Sequence, residues 1–187
     1  MKIFAIVLLL AAMAVPASAA TIWNESINGD LSSSEGAPTG ISFGIGGNTI
    51  IGSINGNPLD RDYITFTIAA GQTLSHVNLT AFSPDNIAFT AFNSGSTSFI
   101  PSGATNGSFL SGIHITSADA GFDLMPFYDT RNVTTNSLPS PSLGPGTYCW
   151  MIQQTSPVLQ NYTVEFVLDG ALRTDAETWG KIKAMYR

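Results

Sequence analysis

Four oxygen-bearing side chains, Asn55, Asn57, Asp60 and Asp62, fall within eight residues around the turn Asn55-Gly56-Asn57-Pro58. A hard cation such as calcium takes roughly six to eight oxygens from carboxylates, amides and backbone carbonyls, and a flexible loop supplies several of them. The spacing departs from the EF-hand loop, which ends in a bidentate glutamate. Glu25 and Asp30, near the N-terminus, are placed to add ligands from elsewhere in the chain. The competing reading makes Asp60 and Asp62 solvated turn residues leading into the next strand, because Asn, Asp, Gly and Pro dominate turns with or without a metal.

Other chemistry finds little to work with. No G-x-S-x-G elbow offers a hydrolase serine. No H-E-x-x-H motif or cysteine pair offers a zinc site. Cys149 is the sole cysteine, so no internal disulfide forms, and its run Thr147-Tyr148-Cys149-Trp150-Met151 reads as a strand with a small buried thiol. His76 and His114 lie in alternating runs and read as ordinary strand histidines. A glycosidase needs two carboxylates across a cleft. Acids are plentiful here, and nothing singles out a pair. Trp23 and Tyr128 are the aromatic candidates for a ligand-binding face. Five N-x-S/T sequons, at Asn24, Asn78, Asn106, Asn132 and Asn161, would be glycan acceptors in a eukaryotic secretory protein.

The elements that would position these residues are strands. Tyr63 to Ile68 alternates, with Ile64, Phe66 and Ile68 on one face; Tyr148, Trp150 and Ile152 share another; Tyr162, Val164, Phe166 and Leu168 a third. Asn48 to Ile54, Leu74 to Phe82, Ile87 to Phe92 and Phe109 to Ile115 are further strand candidates. Gly, Pro and Asn turns separate them, as in a sandwich or closed barrel. Ser32 to Gly40 reads as a polar loop, and Tyr128 to Gly146 as a long surface connection. After the last strand, Thr174-Asp175-Ala176-Glu177 has a capping-box pattern. Trp179, Ile182 and Tyr186, with Met185 beside them, then fall at helical spacing.

The N-terminus carries the three parts of a secretory signal peptide: Lys2, the apolar run Ile3 to Met13, and Ala17-Ser18-Ala19 after Pro16. The run falls short of the about 20 residues that span a bilayer. Cleavage is expected after Ala19 or Ala20, with no membrane span afterwards. The chain is thus divided into a signal peptide (1–20), a β domain (21–169) and an amphipathic helical tail (170–187). From Thr21 to Leu172 there are eleven acids against two bases, Arg61 and Arg131, a net of −9. A body this acidic excludes nucleic acid, whose binding is dominated by basic contacts to phosphate. The stretch from Arg173 to Arg187 carries a net of +2.

Three segments, in order, resemble the bacterial pre-peptidase C-terminal domain family in its exported variant. Trp23-Asn24-Glu25-Ser26-Ile27-Asn28-Gly29-Asp30-Leu31-Ser32 is similar to the family's "Y-N-E-x-x-x-G-D-L-S". Asp60-Arg61-Asp62-Tyr63 through Leu74 is similar to "D-x-D-x-F-x-F-x-V-x-x-G-x-x-L", and Leu143 through Gln154 to "L-x-x-G-x-Y-x-x-x-I-Q". The resemblance implies an antiparallel β-sandwich of jelly-roll type and a non-catalytic accessory role. The chain departs from the family in having no attached enzyme and no "V-P-E-P" sorting end.

These observations lead to the expectation of a secreted, non-catalytic β-sandwich module, extracellular, on the cell surface or periplasmic. Its partners would be polysaccharide or extracellular matrix, its cofactor calcium, and its tail a dock for a sorting or surface partner. Two alternatives stay open. One is a self-associating surface-layer or filament subunit docked through the C-terminal helix. The other is a secreted hydrolase with an unrecognised acidic site.

Overall fold

The computed structural model describes residues 19–84, 86–95, 99, 109–138, 142–154 and 156–170. Residues 1–18 of the expected signal peptide (1–20), and the expected tail with Trp179, Ile182, Met185 and Tyr186, lie outside the described residues. The described chain runs β1 (Ala20–Asn24), α1 (Glu25–Asn28), β2 (Thr39–Gly40), β3 (Gly46–Gly56), β4 (Leu59–Ile68), β5 (Gln72–Ser83), β6 (Ala88–Ser94), β7 (Ser111–Ile115), β8 (Phe122–Asp123), α2 (Phe127–Thr130), β9 (Gly146–Gln153) and β10 (Gln160–Gly170). All seven predicted strands are present.

The strands form one curled, largely antiparallel sheet of two halves. One half is ordered β1-β3-β10-β5-β8 and the other β2-β4-β9-β6-β7, joined where the hairpin pairs Asn55 with Asp60 and Gly56 with Leu59. Two short pairings are parallel, β1 on β3 and β2 on β4. The hairpin turn has the chemistry read from the sequence: the Asn57 N–H donates to Asn55 Oδ1 at 3.2 Å, and Asn55 Nδ2 donates to the Asn57 carbonyl at 3.2 Å.

The two halves share one core. Ile50, Ile54, Leu74, Val77, Val164 and Phe166 come from the first half, and Ile64, Phe66, Phe92, Ile113, Trp150 and Ile152 from the second. Trp150 meets Phe166 edge-on at 5.3 Å between ring centroids, across strands that do not pair with each other. Burial at about 25 cal/mol per Å² of apolar surface makes this cluster the main stabilising term. A second cluster covers the far side of β4, β6 and β9, with Tyr63, Ala91, Phe99, Cys149 and Met151. β9 is therefore buried on both faces. Cys149 lies in this smaller cluster, and burial pushes its thiol up from the ordinary range.

One expectation is corrected here. Tyr128, read as a candidate for an exposed ligand face, is fully buried in the main core. Its hydroxyl accepts from Trp150 Nε1 at 3.1 Å and shares a hydrogen bond with Thr90 Oγ1 at 2.9 Å. Buried hydroxyls need such partners, and these two hold the ring inside. The stretch after it also sends Leu138 and Leu143 into the core, so it is more than a surface connection.

Candidate functional site

The alternation that places Ile64, Phe66 and Ile68 inside continues backward to position 62. Asp62 is therefore turned into the core at its edge, with no exposed surface. Its Oδ2 accepts from the Tyr162 hydroxyl at 2.6 Å. Its Oδ1 is buried with no hydrogen-bond partner. A buried, unsatisfied polar atom costs about 1–3 kcal/mol and more if charged.

Tyr162 reaches Asp62 because β3 gives way beneath it. Tyr162 pairs with Gly52, and a Cβ at Gly52 would lie 2.5 Å from the Tyr162 hydroxyl. Any side chain there would displace the tyrosine that fixes Asp62.

Two more acids come from the N-terminal segment. Asn24 caps α1, its side chain accepting from the Ser26 N–H at 3.1 Å. Gly29, at φ 88°, ends the helix in the left-handed region that glycine adopts without strain. The Trp23 indole N–H donates to the Gly29 carbonyl at 3.1 Å, which closes the loop. Glu25 is thereby aimed at the sheet. Its Oε2 accepts from the Ser53 N–H at 2.7 Å and its Oε1 from the Leu31 N–H at 3.2 Å. One carboxylate oxygen from each of Glu25, Asp30 and Asp62 lies within 4.8 Å of the other two. Among the described residues this is the one such group of three or more metal-ligating side chains.

Their electrostatics agree with the geometry. Burial pushes Asp62 well above the usual carboxylate range, the Glu25 charge adds to this, and the Tyr162 hydrogen bond opposes it. Burial likewise raises Glu25 and Asp60. Burial also raises Tyr162, and its acidic neighbours Asp62, Glu25 and Asp60 push it further. A divalent cation reverses each of these effects, since it supplies the positive charge that desolvated carboxylates lack.

The residues read from the sequence thus separate. Asp62, Glu25 and Asp30 converge. Asp60 lies beside them but outside the group, its Oδ1 accepting from Ser33 Oγ at 3.0 Å. Asn55 and Asn57 are engaged with each other in the hairpin turn. Trp23 is half-buried and packs against the main core. The sequence reading did not assign Tyr162 and Gly52 a part in the site.

Two other polar pairs are structural clasps. His76 Nδ1 lies 2.8 Å from Asp123 Oδ2, while Asp123 Oδ1 accepts from the Val77 and Met125 N–H groups, so the pair fastens β8 to β5. Arg131 binds Asp119 at 2.6 Å and lies over the Phe127 ring at 4.3 Å. An open groove of about 540 Å³ beside β2 and β4 is lined by Ile41, Ser42, Phe43, Thr65, Thr67 and Thr147, among others. Among the described residues no helix is long and apolar enough to cross a membrane.

No family model and no curated protein matches the chain. The solved structures it is similar to include two periplasmic inhibitors of g-type lysozyme, both PliG. The one from Salmonella Typhimurium is 18% identical, with a TM-score of 0.35, covering 71% of this chain and 100% of that one. The one from Aeromonas hydrophila is 16% identical, with a TM-score of 0.35, covering 70% of this chain and 96% of that one. Likenesses of this size carry no argument about architecture or partner.

Proposed function

We propose that this chain is an exported, non-catalytic β module for extracellular binding or scaffolding, and that it carries a calcium ion on Glu25, Asp30 and Asp62. A sandwich of the pre-peptidase C-terminal type, as the sequence resemblance implies, is the architecture this reading adopts. The single observation that carries it is Asp62. A fully buried aspartate with one oxygen unpartnered, beside two further carboxylates, is costly as it stands and is stabilised by a divalent cation. Three carboxylates, with waters or backbone carbonyls completing the shell, suit a hard cation and a millimolar extracellular supply. Contact with polysaccharide or matrix would run through the hydroxyl-lined groove at Ser42, Thr65, Thr67 and Thr147, with Phe43 as its apolar wall. Melting the full chain in chelator, in calcium and in magnesium tests the metal reading, because a ligand for the native state raises its stability by mass action. Calcium is expected to raise the melting temperature more than magnesium, which prefers a tighter octahedral shell. Equal melts in chelator and in millimolar calcium would remove the ion from the account. Glycan-array binding tests the groove separately.

A further inference from the structure

We infer that the bound cation is the clip that fastens residues 20–30 to the sheet, so that losing it releases this segment and uncovers the edge of β3. The inference rests on the calcium reading of the same three carboxylates. From Ala20 to Asp30 no residue is buried, whereas Leu31, the next one, is 2% exposed. Ile22 and Trp23 are half-buried and pack against the main core, so the stretch from Glu25 to Asp30 lies between two anchors and buries no residue of its own. Its ladder to β3 is short and parallel, and shifts register between Thr21 and Trp23. α1 buries none of its residues. Segments with few buried contacts open at low free energy.

What ties the middle of this segment to the body is the carboxylate group. Glu25 opens α1, Asp30 closes the turn after it, and Asp62 belongs to β4 in the other half of the sheet. An ion held by all three joins both ends of the turn to the body. Without it, the same three groups place like charges against each other at the point of attachment. The bonds from Ser53 and Leu31 to Glu25, the short ladder of β1 to β3 and the packing of Ile22 and Trp23 are the remaining ties.

Hydrogen exchange on the full chain, in calcium and in chelator, tests this alongside a calorimetric calcium titration. The N–H groups of Ser53 and Leu31, and those of β1, should exchange about 10-fold or more slowly in calcium, while those of β9 stay unchanged. Asp30→Asn, at an exposed position, should keep the fold and lose this protection. If calorimetry shows calcium bound and the segment exchanges equally in both buffers, the clip is wrong and the metal site stands. Retained protection in the Asp30→Asn chain would likewise overturn the clip. If no calcium binds, the metal reading and the clip fail together.

Discussion

Replacing Asp62 by Asn separates the electrostatic account from a purely structural one. The carboxylate oxygens of Glu25 and Asp62 lie within 4.8 Å of each other. At an effective dielectric of about 20, a fully ionised pair at that distance repels by roughly 3 kcal/mol. Asp30 is exposed, so solvent screens its share. Burial already raises the Asp62 pKa well above the usual carboxylate range, which lessens the cost further. The relief from an amide is therefore about 1–2 kcal/mol, or roughly 2–8 °C in melting temperature for a domain of this size. The amide keeps an acceptor for Tyr162 and brings donors to the neighbouring carboxylates. In chelator, Asp62→Asn should melt higher than the natural chain. In calcium at about 100 times the dissociation constant, the natural chain gains about 2.7 kcal/mol and the variant gains little, so the order inverts. Differential scanning calorimetry in the two buffers reads both effects. A variant that melts lower in chelator, or gains as much from calcium as the natural chain, would refute the reasoning.

Three further outcomes are expected. In chelator, lowering the pH from about 7 to about 5 should stabilise the protein. Burial raises the folded pKa values of Glu25 and Asp62 above their ordinary ones, so the folded state binds protons more tightly and stability falls as pH rises from the ordinary carboxylate range through the raised values. Asp119 has the opposite sign, but its contribution is lost only as pH falls below about its ordinary 3.8. The increment from calcium should shrink at the lower pH as protons compete for the carboxylates; a lower melt in chelator at pH 5 than at pH 7 would contradict this. Tyr128→Phe should cost about 1–3 kcal/mol in denaturant unfolding, because it leaves the Trp150 N–H and the Thr90 hydroxyl buried without their partner. If the tail is a docking element, deleting residues 171–187 should move the melting temperature by no more than about 2 °C. A fall of several degrees would make the tail part of the fold instead of a docking element.

The strands were legible because side chains alternate with period two, and one face of each is apolar. The pairing was not legible. β1 and β8 are too short to show a period, and α1 is a single turn set by the Asn24 cap and Gly29. Tyr128 misled because a polar, proline-containing stretch follows it, while its burial depends on Thr90 and Trp150 from other strands. In the site, Asp62 was within reach of sequence reasoning, since Ile64, Phe66 and Ile68 extend back to it by the same alternation. Glu25 and Asp30 were visible as possible ligands. Their meeting with Asp62 depends on the parallel pairing of β1 with β3 and on the room Gly52 leaves for Tyr162. Neither is a local property of the sequence.

The most direct test is a crystal structure of the full chain grown in millimolar calcium, with anomalous scattering to identify the ion. The account predicts one calcium between Glu25, Asp30 and Asp62, with an Asp62 oxygen about 2.3–2.6 Å from it. A calcium on the Asn55–Asn57 turn instead, or a well-ordered carboxylate group holding only water, would contradict it.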